Sequence, residues 1–482
     1  KALFDDNVLE VIVAASDNNE RFDLIERFEE VVLPLYDDLA EVYPDIRQNL
    51  LRAAAVARET ATKPIDLPYG KPFRGKSADN IVHQVAAILV QLRNLDIERT
   101  FDALAELYLG STTDEQRKDL VKAAGQIAQH DLAVWKDHGP IVQFRLLERI
   151  RALDDAHKAL LRPLLTEVYR QILSPEITGT SSTSSTVTFH TGAVVASTPL
   201  RGCREEAMSS LFSQYEAAAD DTERRDITRA LEYATRLSMR GNEDDRLLVA
   251  VLQDSQRIVE FYTRNAGGQS FELRQSLEQD AFHLHERNRG LATRDDVAAE
   301  VVAAASALTA AIEQYRDAIN GDAEFVVFKA LVGFESVFAP EWDRGHWGWR
   351  EKQEFRDALM DEFIEGADAS NAESWLAMVV RCARVDSNDG ATFPSLISFL
   401  RKVSERRPQI AEGWLLQADD PPLSRFIAPI LTGLNKAGSR AALEFASRAI
   451  ASGRHLAQVM MFLHDVDDLD PAMARAATAS AI

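Results

Sequence analysis

The sharpest chemical pattern in the chain is GKPFRGKS, Gly70 to Ser77. A glycine, four residues and then Gly-Lys-Ser is the spacing of a phosphate loop. In that reading Gly70 and Gly75 free the backbone, and the amides around Arg74–Ser77 cradle phosphate. Lys76 meets the β/γ oxygens and Ser77 holds magnesium. The surrounding sequence works against it. The preceding residues, KPIDLPY, carry Pro64 and Pro68 and are not a buried strand. Pro72 removes an amide donor inside the loop itself. No alternating strands follow to build the parallel sheet on which such a loop sits. LLVAVLQD (247–254) imitates an acidic strand but lies within helical patterns, so it reads as a buried helix turn. A basic loop between helices is the simpler reading, with ATP or GTP binding at Gly70, Gly75, Lys76 and Ser77 as the alternative.

Other clusters carry less chemistry. Asp280 and His283 share a helical face at i, i+3, but His285 points away, so a metal would need ligands from elsewhere. No metal site and no cofactor is expected. EWDRGHWGWR (341–350) gathers Trp342, Trp347 and Trp349 with Arg344, His346 and Arg350, and its glycines prevent a regular helix. Aromatic and arginine side chains dominate the buried centres of protein interfaces, which makes this loop the candidate partner contact. The competing reading has these rings filling the gap between stacked units. RKVSERRP (401–408) adds a basic run that suits a solvated helix end. There is no Gly-x-Ser-x-Gly elbow, and no catalytic residues are assigned.

The elements that must position these residues are helices. Ile81, Val85, Ile88, Leu92 and Leu95 fall on one helical face, as do Phe22, Ile25, Phe28, Val32 and Leu35. Val327, Leu331, Phe334 and Phe338 continue the pattern further on. TDEQ (113–116) and SNAE (370–373) fit capping boxes at helix starts. About twenty such segments, with short polar joins, predict an all-α chain of stacked helical pairs instead of one round core. AESWL (372–376) recurs as AEGWL (411–415), a displacement of 39 residues. The stretch from Trp375 through Pro408 to Trp414 resembles a tetratricopeptide unit, and HEAT-like pairing suits the other helices. The resemblance is to α-solenoid helical-repeat proteins, and it implies a scaffold for protein partners.

One segment breaks the helical rhythm. GTSSTSS (179–185) is low in complexity, and TVTFH (186–190) and AVVAS (193–197) are β-branched runs flanking Thr191–Gly192. This predicts a loop or short β-hairpin within 178–198. The expected organisation is an N-terminal helical domain (1–175), the Ser/Thr-rich insertion (176–199), a middle helical region (200–338) and a C-terminal repeat region (339–482).

The formal charge of −22 opposes binding to a polyphosphate backbone, so nucleic acid is not an expected partner. Two separated cysteines, Cys203 and Cys382, form no disulfide framework and predict a reducing, cytoplasmic setting. No apolar run is long enough to span a bilayer. A first residue of Lys instead of Met reads as an excised piece of a longer, multidomain chain. Together these features predict a non-catalytic protein-interaction scaffold or sensor module. The alternative is a nucleotide-binding protein, or the regulatory arm of an upstream NTPase or nuclease.

Overall fold

Helix after helix follows from local signals in the sequence. Asp17 accepts from the amides of Asn19 and Glu20, Asp96 from Arg99, and Asp220 from Thr222 and Glu223, so each start satisfies amides that have no helical partner. Thr113 caps its helix through the Gln116 amide at 3.2 Å. At SNAE the start shifts by one residue. The helix opens at Ala372 after Asn371, while the Ser370 hydroxyl bonds Asp368.

The computed structural model describes residues 6–64, 75–182, 186–237, 244–293, 297–333, 335–344, 347–417, 421–466 and 470–480. Twenty-six α-helices, two 3₁₀ helices and three short strands make up the regular structure of those residues. The chain divides into two compact units, residues 1–261 with 291–308 and residues 262–290 with 309–482. The segment 176–199 lies inside the first unit.

In the first unit the helices form two rows. One row runs Asn18–Val32, Ala78–Gln91, Asp114–Ala128, Arg162–Leu173 and Asp221–Thr235, each packed on the next. The other runs Asp6–Ala14, Tyr43–Glu59, Ile97–Leu109, Ile141–Arg151 and Thr198–Glu216 in the same manner. A helix therefore leans on the next one in its own row and on its neighbours across the rows, which is a helical-repeat arrangement. The predicted stripe is the buried one: Ile81, Val85, Ile88 and Leu92 are all inaccessible to solvent. Gly125 sits where the third and fourth helices of the first row meet. A Cβ there would come within 2.4 Å of Glu167 Oε1.

In the second unit Ala323–Leu331, Pro394–Arg406, Ile427–Lys436 and Leu456–His464 pack in succession, with Ala441–Ser452 and Pro471–Ser480 beside the last of them. Gly433 allows a close approach. A Cβ there would lie 2.2 Å from the Arg401 carbonyl oxygen. The stripe expected to run from Val327 to Phe338 is not one helix. It ends at Leu331, and Gly333 turns the chain at φ +75° with its amide on the Thr392 carbonyl at 2.8 Å. Phe334 lies outside the described residues, and Phe338 is buried beyond the turn.

The hairpin exists with a different register from the predicted one. The strands are β1 (His130–Asp131), β2 (Glu176–Ser182) and β3 (Val187–Ala193), in sheet order β1-β2-β3. β1 pairs parallel to β2 and β2 antiparallel to β3. Thr191 and Gly192 are strand residues paired with Thr178 and Ile177, not the turn. Residues 179–182 of the Ser/Thr tract are drawn into β2. The partner at His130 and the burial of Ile177 fix where β2 begins, and threonine suits a pleated strand. Ile177 and Val194 close on Leu200, Leu247 and Val251, which ties the sheet to its helices.

Each unit also buries a charged pair. In the first, Arg204 donates to Asp254 at 2.8 Å and to the carbonyls of Leu173 and Ala234. In the second, Lys329 donates to Glu278 at 2.9 Å, to the Val337 carbonyl at 2.7 Å and to Asn320. Burial raises the Asp254 and Glu278 carboxyls and lowers the Lys329 ammonium, while the partner charges oppose both trends.

Candidate functional site

Of the residues that matched the phosphate pattern, Gly75, Lys76 and Ser77 are described, and each is in contact with other parts of the chain. Gly70 lies outside the described residues. Gly75 presses on the chain: a Cβ would fall 1.7 Å from the Lys63 carbonyl oxygen. The Lys76 amide donates to Asn19 Oδ1 at 2.7 Å, and its ammonium lies 3.7 Å from the centroid of the Phe22 ring. The Ser77 amide and hydroxyl both donate to Asn80 Oδ1, at 2.9 and 3.1 Å, and open the Ala78–Gln91 helix. The amide, ammonium and hydroxyl that would have met phosphate and magnesium each have a protein contact. Among the described residues no strand leads into this loop.

The tryptophan cluster is split by the fold. Trp342 is buried, edge-on to Phe282 at 5.2 Å and to His285 at 5.4 Å. Burial holds the His285 imidazole below its ordinary range. Trp347 rests on Phe355 at 5.3 Å. Trp349 opens the helix Trp349–Glu365 and is 75% exposed, and Arg350 beside it reaches only toward Glu354 at 3.8 Å. His346 and the side chain of Arg344 lie outside the described residues. Two of the six expected contact residues, Trp349 and Arg350, therefore face solvent. In the basic run, Lys402 and Arg406 hold Asp361, and Arg407 bonds the carbonyls of Ile364 and Glu365.

Both thiols are buried, and desolvation pushes Cys203 up to about 11 and Cys382 up to about 12. Among the described residues no three His, Cys, Asp or Glu side chains converge as metal ligands. No helix of the described residues is long and apolar enough to cross a membrane.

The site that no motif announced is a cleft along one row of the first unit. It crosses the helices Asp114–Ala128, Arg162–Leu173 and Asp221–Thr235, with Tyr108 and the short helix Asp155–Leu160 at its sides. Its larger part has a volume of about 610 Å³. Asp154 starts the short helix by accepting from the His157 amide, and Pro163 then opens the next helix where its missing N–H costs nothing. This abrupt join leaves Leu160 62% exposed at the rim. Tyr108, Val121, Pro163 and Ile227 make the cleft's surface partly apolar. Partial burial raises the Tyr108 phenol above its usual range, so it stays a neutral hydrogen-bond donor.

The charge of this cleft's lining departs from the acidic balance of the whole chain. Its four carboxylates are each taken by an arginine: Asp114 by Arg117, Glu167 by Arg170, Glu223 by Arg162 and Asp226 by Arg229. Such partly exposed pairs add little stability, but they hold the guanidinium groups in place along the walls. Lys118 and Lys122 are the surplus. They stand one helical turn apart, on the same face of their helix, and give the lining a net positive charge. Arg170 is further fixed over the Tyr233 ring at 4.5 Å. Chemically the cleft offers apolar surface flanked by cations.

The second unit has a cleft of another kind, about 530 Å³ in volume, across Pro394–Arg406, Ile427–Lys436 and Leu456–His464. Ile397, Met460 and Met461 line it, with Arg401 and Asp465 giving no surplus of either sign. Sequence reasoning missed both clefts because their residues are distributed over helices far apart in the chain. The signal that could have found the first is the Lys118–Lys122 spacing on a helix of an acidic protein.

No protein-family model matches the chain, and no curated protein matches it in sequence. Among solved structures it is similar to the karyopherin Kap121p bound to Nup53p, at 11% identity and a TM-score of 0.33, covering 94% of this chain and 49% of that chain. It is similar to Kap121p bound to the extreme C-terminus of the protein phosphatase Cdc14p, at 12% identity and a TM-score of 0.32, with the same coverage of 94% and 49%. An engineered protein gives 11% identity and a TM-score of 0.27, over 96% of this chain and 99% of that chain. The chain spans about half the length of the Kap121p chains it matches. The helical-repeat fold itself stands on the packing of the rows within each unit.

Proposed function

We propose that the chain is a helical scaffold for protein partners, and that the first unit's cleft takes an acidic, amphipathic segment of such a partner. The observation that carries this reading is the lining's own balance. Every carboxylate there is answered by an arginine, and Lys118 and Lys122 remain beside apolar surface. An apolar stripe would bury against Tyr108, Val121 and Leu160, and carboxylates on its flanks would meet the two lysines. Trp349 and Arg350 are a second proposed contact, separate from this one.

Binding is tested with a fluorescein-labelled helical peptide bearing leucines on one face and glutamates on its flanks. A sequence-matched peptide with lysines for the glutamates is the control. The acidic peptide is expected to bind and the basic one not, with affinity falling as salt is added. Lys118→Glu with Lys122→Glu is expected to weaken the acidic peptide by roughly a hundredfold, about 2.7 kcal/mol, and to admit the basic one. Equal binding of both peptides, or no effect of the double reversal, overturns the reading.

A further inference from the structure

A further pocket of the first unit, about 280 Å³ in volume, has three arginines in its lining and no carboxylate. One wall is the beginning of the Thr198–Glu216 helix, where Leu200, Arg201 and Arg204 share a face. The other is the Asp245–Asn265 helix, where Arg246, Val249 and Gln253 do the same. Leu200 and Leu247 belong to one buried cluster, and Arg204 on the first helix donates to Asp254 on the second. The two walls are therefore tied together. Both clefts described above include carboxylates in their linings. This pocket includes none, in a chain with 76 acidic residues against 54 basic ones.

The three guanidinium groups are not equally committed. Arg204 is buried and gives its N–H groups to Asp254 and to the carbonyls of Leu173 and Ala234, so it is part of the floor. Arg201 is exposed, and its carboxylate partner is Glu205, one turn along the same helix at 3.1 Å. An exposed pair of that kind contributes little and yields to a stronger acceptor. Arg246 is exposed, and among the described residues it makes no ion pair. Asp244, just before it, caps its helix by accepting from the Leu247 amide at 2.8 Å. Gln253 is half-buried two turns along from Arg246, and among the described residues its side-chain amide has no hydrogen-bond partner.

We infer that this pocket binds a phosphate monoester. A dianion with three acceptor oxygens takes the forks of Arg201 and Arg246 and an N–H of Gln253 together, whereas one guanidinium already fills a carboxylate. Leu200, Leu247 and Val249 then lie against the organic part of the ester. The volume is at the low end for small-ligand sites, so the carrier is the size of a serine side chain and not of a nucleotide. The net charge of −22 repels any anion at long range. Beyond about 8 Å it is screened at physiological salt, and at contact the two arginines decide. A small free ester and a phosphoserine side chain offer the same chemistry. The pocket shares no lining residue with the amphipathic cleft, so neither site depends on the other.

The test is calorimetric titration of the full chain with O-phosphoserine, with a phosphoserine peptide and its unphosphorylated form, and with inorganic phosphate. Both phosphorylated probes are expected to bind and the unphosphorylated peptide not to. Tighter binding of the peptide assigns the ester to a protein partner, and tighter binding of O-phosphoserine assigns it to a small molecule. Arg201→Gln and Arg246→Gln are each expected to weaken binding about tenfold, and together about a hundredfold, with circular dichroism unchanged because both side chains are exposed. No histidine lines the pocket, so the proton that matters is the ligand's own. Lowering the pH from about 7.5 to about 5 is expected to weaken binding about tenfold, as the ester takes up its second proton near pH 6. Lys118→Glu with Lys122→Glu is expected to leave this binding unchanged, which separates it from the cleft. Failure of both phosphorylated probes to bind, or inorganic phosphate binding as tightly as they do, overturns the inference. So does an affinity that ignores the double arginine substitution or the change of pH.

Discussion

Gly125 and Gly433 each sit at a close helix–helix contact within their unit, yet they face different things. Gly125 looks onto the end of a glutamate side chain, while Gly433 looks onto backbone, the carbonyl of Arg401. A side-chain terminus can swing aside and a helix backbone cannot. The buried charges differ in another way. Arg204 in the first unit reaches a carboxylate and two helix-end carbonyls with one forked group. Lys329 in the second is a point charge enclosed by Glu278, Asn320 and the Val337 carbonyl. At Gly125 the first unit's contact can readjust, and at Gly433 the second unit's cannot.

The strongest way to break this contrast is Glu278→Ala, which leaves Lys329 buried without its carboxylate. A loss of about 3–5 kcal/mol is expected, read by urea unfolding and by hydrogen exchange of the Ala323–Leu331 helix. The next is acid. His130 is fully buried against Trp135, and desolvation, helped by the positive charge of Arg204, holds its imidazole down at about 4. The unfolded chain takes up that proton near pH 6.5 and the folded one near 4, so stability is complete above 6.5 and drains away as pH falls between them. The total is roughly 3 kcal/mol. His130→Phe is expected to flatten this part of the pH–stability profile, with the second unit's amide exchange unaffected.

Gly433→Ala is expected to cost about 1–3 kcal/mol, because a helix must move to admit one methyl group. Gly125→Ala is expected to be nearly neutral. Displacing Glu167 is offset by the helix propensity gained, about 1 kcal/mol. Equal losses at the two glycines, measured by denaturant midpoint, would remove the contrast drawn here. The smallest effect is at the surface. Leu160→Asp is expected to leave stability within about 0.5 kcal/mol of wild type while abolishing binding of the acidic peptide.

What the sequence made legible was local. The apolar steps from Ile81 to Leu92, the Thr113 cap and the presence of strands near 178–198 depend on residues a few positions apart, and the structure contains all of them. The strand register was not local, because it depends on His130, nearly fifty residues upstream of Ile177. The Trp cluster looked like one feature since its rings adjoin in sequence, but Phe282 and Phe355 claim two of them from opposite sides of the chain order. The contacts of Lys76 with Asn19 and Phe22 were not legible either, because both partners are distant in sequence. The cleft joins Tyr108 to Ala230 and no window of sequence spans it.

The rows of the first unit have a consequence for how such a chain can change. Because each helix rests on the next one in its own row, lifting out one helix from each row together leaves the ends on either side facing surfaces of the kind they already touch. Lineages can therefore lengthen or shorten this unit by duplicating or deleting a pair, whereas gain or loss of a single helix would exchange the rows and turn every later greasy stripe outward.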